Sequence, residues 1–101
     1  MAKVLFSIQY EISPAKREEY LEVIKELKNL VKTEGLESYE VYEVKGKPNN
    51  FQEVYAFNSK EAYENFDDDL SERINILINK LSDLAVDNST KYTTLFELAS
   101  N

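Results

Sequence analysis

The sequence predicts an α+β fold in which a four-stranded antiparallel sheet carries both helices on one face. Segments with period-two apolar alternation and segments with helical periodicity follow the order strand, helix, strand, strand, helix, strand. The two halves of the chain repeat one β-α-β pattern, which is the split βαβ or ferredoxin-like βαββαβ arrangement. The 101 residues are enough for one domain, so we expect residues 1–101 to form a single domain.

The first half begins with a strand over residues 3–12 and a helix that follows it. One face of this strand carries Val4, Phe6, Ile8, Tyr10 and Ile12 at period two. Ser13 is expected to cap the helix and Pro14 to occupy its first position, where a missing N–H costs nothing. Gly35 is expected to end the helix in the left-handed conformation.

A hairpin is predicted next, with strands over residues 36–45 and 51–58. The connection at 46–50 reads Gly-Lys-Pro-Asn-Asn, which is turn chemistry throughout. Both strands carry apolar residues on two sides, so alternation alone does not decide which side of each strand faces the helices.

The second half continues with a short helix, a longer helix and a last strand. Ser59 is expected to cap the short helix, and the acidic run Asp67–Asp69 to break it. Asp69 and Glu72 resemble a capping box for the longer helix, whose apolar face covers residues 70–85. The last strand is predicted over residues 91–98.

The sheet face away from the helices is expected to be apolar. Depending on register, it would hold several of the side chains Leu5, Tyr39, Val41, Tyr55, Phe57 and Leu95. A patch of that size is seldom left in water, and the simplest cover is a second copy packed sheet to sheet about a two-fold axis. We therefore expect a homodimer. The alternative, a monomeric regulatory domain, requires a polar outer face.

Composition excludes several kinds of chemistry. The formal net charge of −7 disfavours nucleic acid and anionic membrane surfaces as partners. The chain has no cysteine and no histidine, so disulfides, Ser-His triads and the usual zinc ligands are missing. Glycine occurs only at positions 35 and 46, which is too few for a phosphate-binding loop. The first twelve residues are not a signal peptide, so a cytoplasmic location is expected.

Two runs of sequence resemble a known family. The segments 57–66 (FNSKEAYENF) and 37–42 (ESYEVY) are similar to those of the antibiotic-biosynthesis-monooxygenase-like (ABM-like) group. That group belongs to the dimeric α+β barrel superfamily, and the order of elements agrees over residues 3–98. The resemblance implies a dimer whose two sheets close into a barrel, with a pocket between each sheet and its helices.

The sequence departs from that family at two positions. Phe57 stands where many members have tryptophan, and Phe66 where many have histidine. Haem degradation in the family uses a histidine ligand, so this activity is not expected here. The resemblance still allows the branch that oxidises quinols or aromatic polyketides with oxygen and without a cofactor. We therefore expect no cofactor and no metal.

A set of polar and aromatic residues is predicted to bind a small aromatic ligand. The candidates are Gln9, Tyr39, Tyr55, Phe57, Asn58, Tyr63 and Phe66. Gln9 and Asn58 would orient the ligand, the tyrosines would donate hydroxyl hydrogens, and the phenylalanines would form walls. The resemblance implies that a polar residue of the first strand lines the site, and Gln9 or Ser7 would hold that place. For any single tyrosine, core or interface packing is the favoured interpretation.

Three further points stay open at this stage. Glu53 and Glu97 can serve as bases if they are buried with a raised pKa, although an exposed, solubilising role is favoured for both. The Asp67–Asp69 run can bind a hard cation, but a helix cap in a solvated loop is favoured. A non-enzymatic ligand-binding or accessory protein of the same fold is the alternative to the oxidising enzyme.

Overall fold

A computed structural model describes residues 2–66 and 70–98. The elements are β1 (Val4–Glu11), a 3-10 helix (Pro14–Lys16), α1 (Arg17–Leu30), β2 (Leu36–Glu43), β3 (Asn50–Phe57), α2 (Lys60–Glu64), α3 (Glu72–Leu84) and β4 (Lys91–Phe96). The sheet order is β2-β3-β1-β4, and each neighbouring pair is antiparallel. This confirms the predicted α+β βαββαβ fold.

The helices cover one face of the sheet and bury an aromatic layer against it. On β3 the residues Phe51, Glu53, Tyr55 and Phe57 all point to this face and are buried. Tyr20 of α1 packs on Phe51 with ring centroids 4.4 Å apart. The core therefore lies between the inner sheet face and the helices.

The assignment of several residues to the outer sheet face was wrong. Tyr39 and Tyr55 are paired across β2 and β3, and both lie on the buried face together with Phe57. Val41 pairs with Glu53 and shares that face. The outer positions of β3 are instead taken by the residues that alternate with Tyr55 and Phe57.

Two of the predicted outer residues do lie on the outer face. Leu5 and Leu95 are paired in register and remain exposed. The same row continues into β3 with Ala56, and Val54 follows at the next outward position. The outer face of the sheet therefore carries an aliphatic patch, although the aromatic residues expected there are buried.

The start and end of α1 differ from the prediction. Ser13 makes no side-chain capping bond, and the chain first forms the 3-10 helix in which Pro14 takes the opening position. The helix ends at Leu30, because Val31 turns to an extended conformation that buries its side chain. Gly35 does adopt a positive φ of 85°, but in the turn before β2.

The caps of the two later helices are serines. Ser59 Oγ accepts a hydrogen bond from the Ala62 N–H (3.1 Å), as predicted. Ser71 Oγ accepts one from the Ile74 N–H (3.2 Å), so Ser71 caps α3 and the predicted capping box beginning at Asp69 was wrong. The run Asp67–Asp69 itself, with its possible cation, lies outside the described residues.

Within the described ranges, 2–66 and 70–98, no helix is both long enough and apolar enough to cross a membrane.

The two glycines offer a matched test of the turn before β2. Both have positive φ, but a Cβ on Gly35 would overlap the side chain of Ala62, whereas a Cβ on Gly46 meets nothing within 4 Å. We expect G46A to lower the free energy of unfolding by about 1 kcal/mol, the cost of a left-handed alanine. G35A adds a steric overlap and is expected to cost about 2–4 kcal/mol. Urea unfolding followed by circular dichroism measures both, and equal losses would contradict the close packing of α2 on this turn.

Candidate functional site

A buried carboxylate lies at the centre of the inner sheet face. Glu53 is only 2% exposed, so the favoured interpretation of it as an exposed, solubilising charge was wrong. Period-two alternation places it in phase with Phe51, Tyr55 and Phe57, and this phase is the signal in the sequence that could have identified it. Its charge alone suggested the opposite.

Three tyrosine hydroxyls from three strands donate to this carboxylate. The Tyr39 hydroxyl of β2 lies 2.6 Å from Oε1, and the Tyr10 hydroxyl of β1 lies 2.8 Å from Oε2. The Tyr55 hydroxyl, on Glu53's own strand, is 3.4 Å from Oε1. A carboxylate accepts but cannot donate when ionised, so this arrangement suits the ionised form.

The network continues from the sheet into α1. The Tyr20 and Tyr10 hydroxyl oxygens are 2.8 Å apart. Because Tyr10 donates its hydrogen to Glu53, Tyr20 donates to Tyr10. The sequence of bonds is therefore Tyr20 to Tyr10 to Glu53, and it links helix, first strand and third strand in the interior.

Burial sets the protonation behaviour of the network. It raises the pKa of Glu53, while the hydrogen bonds from Tyr39, Tyr10 and Tyr55 act in the opposite direction. Burial, followed by the nearby Glu53 charge, raises the pKa of both Tyr10 and Tyr39, so these phenols stay protonated donors at neutral pH. No ion pair within residues 2–66 and 70–98 involves Glu53.

A cavity of about 240 Å³ opens beside Glu53, between the sheet and α3. It is lined by Phe6, Ile8, Tyr10, Glu53, Tyr55, Phe66, Ile78, Leu81, Ser82, Ala85, Thr90 and Tyr92. Ser82, Thr90 and Tyr92 are exposed and form its mouth. Glu53 is the one charged residue among these lining residues, all of which belong to the described chain.

The walls of this cavity are largely aromatic. The Phe6 ring centroid lies 5.8 Å from that of Tyr55 and 6.2 Å from that of Tyr92, with the latter pair stacked. Phe66 meets Tyr55 edge to face at 5.2 Å. Such contacts favour defined orientations of the rings relative to one another.

Three of the candidate binding residues lie at or next to this carboxylate and cavity. Tyr55 and Phe66 line the cavity. Tyr39 is outside the lining, but its hydroxyl donates a hydrogen bond to Glu53, which lines the cavity. Phe57 is fully buried and packs edge to face on Phe66 and Tyr63. It therefore supports the wall without lining it.

The other three candidates lie elsewhere. The Tyr63 hydroxyl is 3.2 Å from Thr94 Oγ1, and the side chain lines a smaller recess beside Phe6 and Phe66. Gln9 pairs with Gln52 and Lys91 on the opposite face of the sheet.

Asn58 follows the end of β3 and lines a separate polar depression next to Gly35. Asn58, like Gln9 and Tyr63, therefore does not line the main cavity.

The lining also includes residues that were not singled out as ligand contacts. Tyr10 and Phe6 were assigned only to the core face of the first strand, and Ile78 and Leu81 only to the apolar face of α3. Nothing in their periodicity distinguishes a cavity wall from a filled core. The described residues contain no cluster of three or more His, Cys, Asp or Glu side chains that could hold a metal ion.

Solved structures with this fold include several oxygenase-like proteins. A Caulobacter crescentus protein described as a candidate antibiotic biosynthesis monooxygenase has a TM-score of 0.81 and 13% identity, covering 98% of this chain and 92% of that one. A conserved protein from Methanosarcina mazei has a TM-score of 0.79 and 19% identity, covering 94% and 92%. SnoaB, a cofactor-independent oxygenase from Streptomyces nogalater, has a TM-score of 0.76 and 11% identity, covering 97% and 95%.

These similarities confirm the predicted resemblance at the level of the fold, which is that of ABM-like structures. Neither the protein-family models nor the curated proteins yield a match to this sequence.

The raised pKa of Glu53 predicts how the free energy of unfolding depends on pH. The folded chain keeps the Glu53 proton to higher pH than the unfolded chain does, so the free energy of unfolding falls as pH rises from about 4.5 towards the raised pKa. E53Q has no carboxyl to titrate at this position. The difference in the free energy of unfolding between wild type and E53Q should therefore change over this pH range by about 1.4 kcal/mol for each unit by which the pKa is raised.

Urea unfolding at several pH values between 4.5 and 8 measures this difference. Glu43 stays ionised across that range, because Arg17 and the Asn49 N–H lower its pKa to about 2. Parallel stability curves for wild type and E53Q would contradict a raised pKa.

Proposed function

We propose that this protein binds a small aromatic, quinol-like molecule in the cavity between the sheet and α3, and oxidises it with O2 without a cofactor, as a monooxygenase-like enzyme. The observation that carries the proposal is the buried Glu53 carboxylate, which lines an aromatic cavity and has no cationic partner among the described residues. A buried carboxyl with a raised pKa is suited to accept a proton near neutral pH.

The cavity favours a flat ligand of modest size. Its volume of about 240 Å³ lies below the range of about 300–1,000 Å³ that holds drug-sized molecules, so one or two fused rings suit it. The Phe6, Tyr55 and Phe66 rings offer stacking and edge contacts to such a ligand. On the α3 side, Ile78 and Leu81 supply an apolar floor.

The proposed chemistry needs only the substrate, oxygen and a proton acceptor. Glu53 accepts the proton of a ring hydroxyl, and the electron-rich anion that remains is able to give an electron to O2. The phenol is the enol form of a ketone with a ring CH2 group, and that CH2 plus O2 yields a ring carbonyl plus water. The proton taken by Glu53 and the remaining C–H hydrogen both leave in the water, so no external reductant is needed. The Streptomyces nogalater neighbour, named as a cofactor-independent oxygenase, supports this choice of reaction.

Ligand binding without catalysis is the second candidate function. Both carboxylate oxygens of Glu53 already accept tyrosine hydroxyls, which stabilises the ionised form and weakens it as a base. The sequence also has no histidine, the side chain best suited to proton transfer near pH 7.

Oxygen uptake with a naphthohydroquinone, a quinol of two fused rings, tests the proposal. We expect wild-type protein to accelerate uptake above the spontaneous rate, and E53Q to lose about 100-fold or more of that acceleration, as for removal of a general base. E97Q is the matched control, because Glu97 is an exposed glutamate outside the cavity lining. Binding without accelerated uptake would support the second candidate, and no binding would reject both.

We also propose that the outer sheet face forms a homodimer interface, closing two sheets into an α+β barrel. Leu5 is 38% exposed and Leu95 is 54% exposed, and they adjoin Ala56 and Val54 on the same face. Exposed aliphatic surface of this kind is typical of an interface between copies.

A charge placed in this patch tests the dimer. Leu5→Glu is expected to raise the dimer dissociation constant at least about tenfold, since it buries an unpaired carboxylate at the interface. Leu21→Glu on α1 is the control, because Leu21 is comparably exposed (44%) and lies on a helix. Native mass spectrometry measures both, and a monomeric wild type would overturn this proposal.

A further inference from the structure

The charge inside the cavity is of one sign. Glu53 is its single charged lining residue, and no lysine or arginine of the described chain lines it. The whole protein carries a formal net charge of −7, so its field also attracts cations. An anionic ligand would meet repulsion both on approach and in the cavity.

The Glu53 carboxylate has hydrogen-bonding capacity left. An ionised carboxylate offers about four acceptor positions, and three tyrosine hydroxyls occupy three of them. Two of those hydroxyls, from Tyr39 and Tyr55, point at Oε1, whereas Oε2 accepts one, from Tyr10. Oε2 therefore retains a position for a further donor.

A buried negative charge gains most from a donor that is itself positive. Neutral hydroxyls offset part of the cost of taking a carboxylate out of water, and a cation adds a direct Coulombic attraction in a medium of low dielectric. Hydrogen bonds between an ammonium and a carboxylate are also about twice as strong as neutral ones.

The cavity walls suit a positive charge as well. Five aromatic rings line it, from Phe6, Tyr10, Tyr55, Phe66 and Tyr92. The face of an aromatic ring attracts a cation within about 6 Å, and several rings around one space form the aromatic cage that recognises organic ammonium groups. Carboxylate and rings converge on the same space of about 240 Å³.

We propose that this cavity is a binding site for a small organic ammonium ion, whose N–H groups donate to the Glu53 carboxylate and whose charge faces the surrounding aromatic rings. The apolar side formed by Ile78, Leu81 and Ala85 accommodates a short hydrocarbon or single-ring tail. The inference rests on the cavity and its charge, and it goes beyond the proposed oxidation because the ion is a ligand that competes with the aromatic substrate for the same space.

A set of three ligands of matched shape tests this inference. Benzylammonium, benzyl alcohol and benzoate differ at the polar group, and their affinities at pH 7 are measured by calorimetry. We expect benzylammonium to bind at least about tenfold more tightly than benzyl alcohol, with no measurable binding of benzoate. E53Q should remove the advantage of the ammonium, whereas E97Q should retain it.

The location of binding is checked by NMR. Contacts from the benzylammonium methylene to the Tyr10 and Tyr55 rings support the proposal, and shifts confined to the acidic surface overturn it. The wild-type ligand series and these contacts decide the matter even if E53Q fails to fold.

The outcomes separate this inference from the proposed function. Benzyl alcohol binding as tightly as benzylammonium, or more tightly, overturns the inference and leaves aromatic binding intact. Benzylammonium binding with no binding or oxidation of quinols supports the inference and rejects the proposed function. Absence of binding by all three ligands overturns the inference.

Discussion

The hydrogen bonds between the Glu53 carboxylate and the tyrosine hydroxyls are the constraint on which the rest of this structure depends. They join β1 and β2 to β3 through Tyr10 and Tyr39, and reach α1 through Tyr20. A buried carboxylate without these donors would cost several kcal/mol. The tyrosine hydroxyls therefore have to lie where they can donate to the Glu53 carboxylate. The rings of Tyr10 and Tyr55 in turn form part of the wall of the cavity beside it.

The same constraint links the two proposals for the cavity. A carboxylate stabilised by hydroxyls alone keeps the capacity to accept a proton from a neutral ligand and to pair with a positive one. The aromatic walls serve both, because rings stack on a flat substrate and also attract a cation. What differs is the group that the ligand presents to Glu53, and hence whether a proton moves.

Periodicity predicted the order of elements, the hairpin and the inward face of the first strand, because these follow from local spacing. It did not predict which way the second and third strands face, since Tyr39 and Tyr55 alternate with other residues able to lie on an outer face. The pairing of Tyr39 with Tyr55 fixes that choice, and pairing is a non-local property. The charge of Glu53 favours an exposed position, whereas its phase with Phe51 and Phe57 indicates burial. The family resemblance implies a pocket position for Gln9, but the register places Gln9 on the opposite face.

The most direct measurement is a pH titration of the Glu53 side-chain carboxyl carbon by NMR, assigned by comparison with E53Q. A buried carboxyl in a cavity whose lining has no cationic side chain should titrate with a midpoint above the ordinary glutamate value of about 4.3, in a single transition sensed by the neighbouring tyrosine rings. A midpoint at or below that value would show that the hydroxyls outweigh burial. Glu53 would then be a structural anion, and its role as a proton acceptor would be contradicted.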